Sequence, residues 1–170
     1  MKYIAISIIV VFSFLSCNAK KNKANNALTK QAINMSLDAW HDAAANADFD
    51  AYFKNMTSDA IFIGTDATEN WTFSQFKDYS KPYFDKGKAW SFKALQRNVF
   101  LNEDNTLAWF DELLDTQMEI CRGSGVMVFK DNQWKIQHYV LSITIPNSNV
   151  KTIVNLKKQT DSITKQIINK

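Results

Sequence analysis

Asp111 and Glu112 are neighbouring carboxylates in the run Leu107-Ala108-Trp109-Phe110-Asp111-Glu112-Leu113-Leu114. In an extended strand successive side chains point to opposite faces, so one of the two faces the interior of whatever sheet this strand joins. A carboxylate among Trp, Phe and Leu side chains has its charged form disfavoured and its pKa raised, the state in which it serves as a general acid or base. Asp111 shares its face with Leu107, Trp109 and Leu113, and Glu112 shares the other with Phe110 and Leu114. Asp111 is the candidate base. His138, alternating with Trp134, Ile136 and Val140, is a candidate proton relay beside it. Arg122 precedes the pliant Gly123-Ser124-Gly125 and is placed to pair that carboxylate or to hold developing charge. Asp111 and His138 each have a plainer account as well: a solvated or salt-bridged carboxylate on an outer face, and a satisfied core histidine.

Other chemistries find little support. His41 follows Trp40 on a helical stretch and is expected to be exposed; the two histidines have no His-x-His or HExxH spacing, so no metal site is expected. There is no glycine-rich phosphate loop and no Ser or Cys nucleophile in a recognisable setting, and no cofactor is implied. Twenty basic against 17 acidic side chains give no charge signature of nucleic-acid binding.

The elements that must position these residues begin at Leu28. Ile33, Leu37, Trp40 and Ala44 form one face of an amphipathic helix. Asp48 caps a short second helix carrying Phe49, Tyr52, Phe53 and Met56. A short strand over Ala60 to Thr65 and a turn to Trp71 follow. Thr72 and Gln75 then have capping-box spacing for a third helix that buries Phe73, Phe76 and Tyr79, with Pro82 expected to kink or end it and Gly87 marking the exit. Four long strands come next, over 90–101, 106–118, 121–130 and 134–145, joined by turns short enough to require antiparallel neighbours. Helices followed by a meander of strands make an α+β fold, one curved sheet wrapped over the early helices. The strands are apolar on both faces, so a second copy of the chain is expected to cover the face that the helices leave bare. Residues 147–170 read as an appended C-terminal helix.

The chain opens with Lys2 and an apolar run from Tyr3 to Leu15, shorter than the roughly 20 residues of a membrane-spanning helix. It ends in Leu15-Ser16-Cys17, which resembles the lipobox of bacterial lipoproteins. That resemblance implies a signal peptide over 1–16, a lipidated Cys17, and an anchor in a membrane of the cell envelope, periplasmic or outer. Residues 17–27 then form a flexible tether, polar and lysine-rich, spanning ~33 Å at most for its last ten residues. Cys121 is left without a partner, and is read as a small buried hydrophobe on a strand.

The order Asp59-Ala60-Ile61-Phe62-Ile63-Gly64-Thr65-Asp66, Glu69, Trp71, Ala108-Trp109-Phe110, Arg122-Gly123-Ser124-Gly125 and Trp134-Lys135-Ile136 resembles the SnoaL-like branch of the nuclear transport factor 2-like (NTF2-like) superfamily over about residues 28–146. The resemblance implies a cone, with N-terminal helices packed against a curved antiparallel sheet around a pocket for small, often apolar ligands. Its members range from isomerases, cyclases and hydrolases to binding modules without chemistry. The residues of particular members do not carry over. Where ketosteroid isomerases place a catalytic tyrosine this chain has Trp40, and where they place the general base it has Gly64; the Arg and Asp pair of limonene-epoxide hydrolases is missing. Within such a cone Tyr52, Phe62, Trp71, Trp90 and Trp109, together with Phe76, are candidates for an aromatic pocket lining, with Asp66 and Glu69 at its rim. The expected function is binding of a small apolar or aromatic molecule or of a protein partner, with an acid–base enzyme built on Asp111, His138 and Arg122, or a structural homodimer, as alternatives.

Overall fold

The computed structural model describes residues 25–169; the expected signal peptide, Cys17 and most of the expected tether lie outside the described residues. The first helix, α1 (25–45), buries Ile33, Leu37, Trp40 and Ala44, the stripe that the four-three-four spacing marks out. It stops where Ala47 takes a left-handed φ of 54°. Asp48 caps the next helix, α2 (Phe49–Lys54), by accepting from the Ala51 N–H at 3.0 Å. Strand β1 (Met56–Ile63) starts earlier than the expected strand at Ala60 and takes Met56 from the helix. The turn expected before Trp71 contains a strand as well, β2 (Asn70–Thr72), paired antiparallel with β1. Helix α3 (Phe73–Asp85) opens with the capping box of Thr72 and Gln75. Pro82 neither ends it nor is buried: the turn beyond it is held by Phe84, which is buried, and the chain leaves through Gly87 at φ 70°.

Strands β3 (Phe92–Leu101), β4 (Leu107–Thr116), β5 (Glu119–Lys130) and β6 (Gln133–Ile143) form the antiparallel meander. The six-stranded sheet has the order β2-β1-β6-β5-β4-β3, and β1 runs parallel to β6, the one departure from an all-antiparallel sheet. Its inner face, carrying Phe62, Phe110, Leu114, Met127, Tyr139 and Leu141, meets the buried faces of the helices in a single core. Cys121 is fully buried there. Helix α4 (Val150–Ile168) follows a 3₁₀ turn over Asn147–Asn149 and buries none of its residues. The architecture is the α+β, NTF2-like cone with an appended C-terminal helix.

One irregularity decides which side chains face inward. Met127 pairs with Ile136 but Val126 pairs with His138, so Gln137 is an extra residue in β6, a β-bulge. Strict alternation would keep His138 with Trp134 and Ile136. The bulge instead turns Tyr139 into the core and His138 out.

Candidate functional site

The three residues proposed for acid–base chemistry all lie on the outer face of the sheet. Asp111 pairs in register with Ser124, Arg122 with Leu113, and His138 with Val126, positions opposite in facing to the buried Phe110, Glu112, Gly123 and Met127. Asp111 accepts from the Asn98 side-chain amide at 3.1 Å, and Arg122 is exposed. They share a face but occupy three strands, and among the described residues no hydrogen bond or ion pair joins them. The choice between Asp111 and Glu112 thus goes the other way: Glu112 is the interior carboxylate.

Glu112 is sealed in the core at 1% exposure. Its Oε1 receives the Tyr139 hydroxyl at 3.0 Å and lies 2.9 Å from His41 Nε2, while Oε2 receives Arg97 Nε–H at 2.8 Å. Arg97 also donates to Asp38 at 2.8 Å and to Asn34, which ties β3 and β4 to α1. His41 is buried, at 3% exposure, against the expectation that it would be solvated; it stands four residues after Leu37 and so continues the buried stripe. Gly123 lets the cluster form, since a Cβ there would strike the Tyr139 hydroxyl and come within 2.9 Å of Glu112 Oε1. Burial, the largest influence, pushes the Glu112 carboxyl up, but the His41 hydrogen bond and charge and the Arg97 guanidinium together outweigh it and hold the group below its ordinary value. Burial and then the Glu112 charge raise the Tyr139 phenol well above its usual range. His41 Nδ1 and Arg97 Nη2 have no partner among the described residues.

A cavity of about 270 Å³ opens between α3, the β1–β2 turn, the start of β3 and the β4–β5 turn. Of the aromatic residues expected to line a pocket, Phe62, Trp71, Phe76 and Trp90 stand on its wall, joined by Tyr79 and Tyr83. Phe62 stacks on Phe76 at 3.9 Å between ring centroids, and Trp71 on Tyr79 at 4.4 Å. Tyr52 stands behind this wall, fully buried, stacked on Trp40 at 4.9 Å and edge-on to Trp90 at 5.5 Å. Burial raises its phenol well above the usual range. Trp109 is not part of the lining: it lies half-exposed on the outer sheet face, stacked on Phe100. Asp66 is exposed in the turn, where its carboxylate accepts from the Thr68 N–H and hydroxyl. Phe92, which lines the cavity, separates it from the polar cluster; its ring centroid is 5.8 Å from that of His41. A second, wider groove of about 700 Å³ lies at the opposite end, between α1, α2 and the β5–β6 hairpin. Among the described residues no set of three or more His, Cys, Asp or Glu side chains gathers as a metal site.

Residues 33–146 match the family model of the SnoaL-like domain. No curated protein matches the chain. Among solved structures it is similar to an NTF2-like protein of unknown function from Pseudomonas putida KT2440, with a TM-score of 0.59 and 14% identity over 73% of this chain and 92% of that one. It is similar also to a candidate scytalone dehydratase from Novosphingobium aromaticivorans DSM 12444 (TM-score 0.61, 12% identity, 72% and 89% covered). A third is a candidate calcium/calmodulin-dependent protein kinase II association domain from Xanthomonas campestris (TM-score 0.51, 18% identity, 68% and 86% covered). At these identities the likeness speaks to the fold.

Proposed function

The chain belongs to the SnoaL-like family, in which fold alone assigns no chemistry, and from that premise we propose that its domain binds a small apolar or aromatic molecule without turning it over. The observation that carries this reading is the contrast between the cavity and the titratable groups. Seven of the residues lining the cavity are aromatic. Asp111, Arg122 and His138 face the other side of the sheet, and His41 and Glu112 are sealed behind Phe92. Native mass spectrometry of the purified protein tests it. A copurifying small molecule, or an aromatic probe retained by the protein and lost in Trp71→Ala, is the expected result; a chain that holds neither sinks the reading.

The module is held at a membrane of the cell envelope by acyl chains on Cys17, supported by the apolar run that ends in Leu15-Ser16-Cys17. Cys17→Ser is expected to abolish acyl labelling and to move the protein from the membrane pellet to the soluble fraction. Retention in the pellet after a salt wash would place the anchor elsewhere.

One observation favours a second reading, an acid–base enzyme acting on a small hydrophobic substrate: the His41–Glu112 pair is a single ring away from the cavity, its Nδ1 unpartnered. In this version Glu112 and His41 take the roles first assigned to Asp111 and His138. Turnover of the bound molecule that is lost in His41→Gln while affinity is kept would replace the binding reading by this one.

A further inference from the structure

Among the residues that line the aromatic cavity one carries a formal charge, and it is a carboxylate, Glu69. Among the described residues no lysine, arginine or histidine reaches that wall. Glu69 is half-buried, and it is Gly64 that admits it: a Cβ at residue 64 would run into the Glu69 carboxylate. The turn uses one of its oxygens, Oε2, which accepts from the Asp66 N–H at 3.1 Å. Among the described residues Oε1 has no hydrogen-bond donor and the carboxylate no cationic partner. Its field reaches the mouth of the cavity, where the Tyr79 phenol is pushed up to about 12 by the Tyr83 hydroxyl beside it, by burial and by the charges of Tyr83 and Glu69.

A cavity of this kind does not treat ligands of equal shape alike. An anion is repelled. A neutral hydrocarbon fills the space but strips water from the carboxylate and returns nothing for it. A compact organic cation answers both features at once, since the carboxylate offsets its charge and the negative faces of aromatic rings attract it at ranges up to about 6 Å. An alkylated ammonium group suits the site better than a bare one, because its methyl groups give apolar contact with the rings and it is only weakly hydrated. We infer that the cavity selects a small organic cation, an alkylated ammonium on an apolar or aromatic frame, with Glu69 opposite the charge and Trp71, Tyr79, Tyr83 and Trp90 around it. This rests on the reading of the cavity as a ligand site.

Titration of the purified protein with phenyltrimethylammonium and with its neutral isostere tert-butylbenzene separates the two claims. The cation is expected to bind at least tenfold more tightly than the isostere, and to weaken with added salt while the isostere does not. Glu69→Gln, which keeps the acceptor for the Asp66 N–H, is expected to cut affinity for the cation by about tenfold and to bind the isostere no more weakly than wild type does. Equal affinity of the two probes for the wild-type protein overturns the charge selection and leaves the cavity standing as an apolar site. So does a preference for the cation that survives Glu69→Gln. If neither probe binds, the ligand-site reading falls, and the cation with it.

Discussion

A carboxylate without solvent contact stays ionised only when its neighbours supply what water would, and Glu112 has three: His41, Arg97 and the Tyr139 hydroxyl. Removing its charge leaves these three buried partners without the anion they were oriented for. Glu112→Gln is therefore expected to cost about 3–5 kcal/mol of stability at neutral pH, measured by urea denaturation; a variant as stable as wild type would show the cluster to be energetically idle. The pH dependence follows from the direction of the shift. The folded-state pKa of Glu112 is depressed, so its stabilisation is complete above the unfolded value of roughly 4.3 and is lost as pH falls through the lower folded value. Wild type should thus lose stability below about pH 4.3 more steeply than Glu112→Gln, which has no such proton to take up. Alternation in the sequence narrows the interior carboxylate to Asp111 or Glu112 but does not choose, because the outer face is apolar too: Trp109 and Leu113 flank Asp111 as convincingly as Phe110 and Leu114 flank Glu112. The partners are harder still to read. Arg97 and Tyr139 reach Glu112 through strand register, and register is not written in any local spacing.

At the scale of elements, the cues that were legible are those whose physics is local. The stripe of α1, the Asp48 cap and the Thr72–Gln75 box act within one turn of chain, and the structure has all three. The features that were not legible depend on distant pairing. Strand β2 has three residues and exists because β1 lies beside it, and the Gln137 bulge is defined only against β5. The bulge is also why His138 and Tyr139 exchange the faces that alternation would give them. Helix α4 is a different case: its stripe of Val150, Ile153, Val154, Leu156, Ile163 and Ile167 reads as weakly amphipathic, yet none of these residues is buried. A chain ending at Pro146 is accordingly expected to unfold within about 0.5 kcal/mol of the full chain. A larger loss, read from thermal or urea melts, would mean that the helix packs on a second copy.

The molecule as a whole leaves one broad surface unaccounted for. Across the outer face of the sheet run Phe100, Trp109, Val126, His138 and Ile61 in one row, and Asn98, Asp111, Ser124, Val140 and Ile63 in the next. Phe100 is 44% and Trp109 46% exposed, large apolar groups side by side in water. A homodimer through this face is the expected state, and Trp109→Lys should shift it to monomer in sedimentation at micromolar concentration while the thermal melt of the monomer stays cooperative. A wild-type protein that already sediments as a monomer would remove the dimer. The parallel pairing of β1 with β6 has a consequence of another kind, in time. Strands β3 to β6 meet their neighbours through tight hairpins, but β1 and β2 have nothing to pair with except each other until β6, the last strand, arrives. The contact of Phe62 with Tyr139, 5.5 Å between ring centroids, waits until then. A nascent chain truncated before β6 is expected to leave unprotected, in hydrogen exchange, the β1 amides that face β6. Under the proposed export, this order of strands would keep the sheet open until its last strand has emerged.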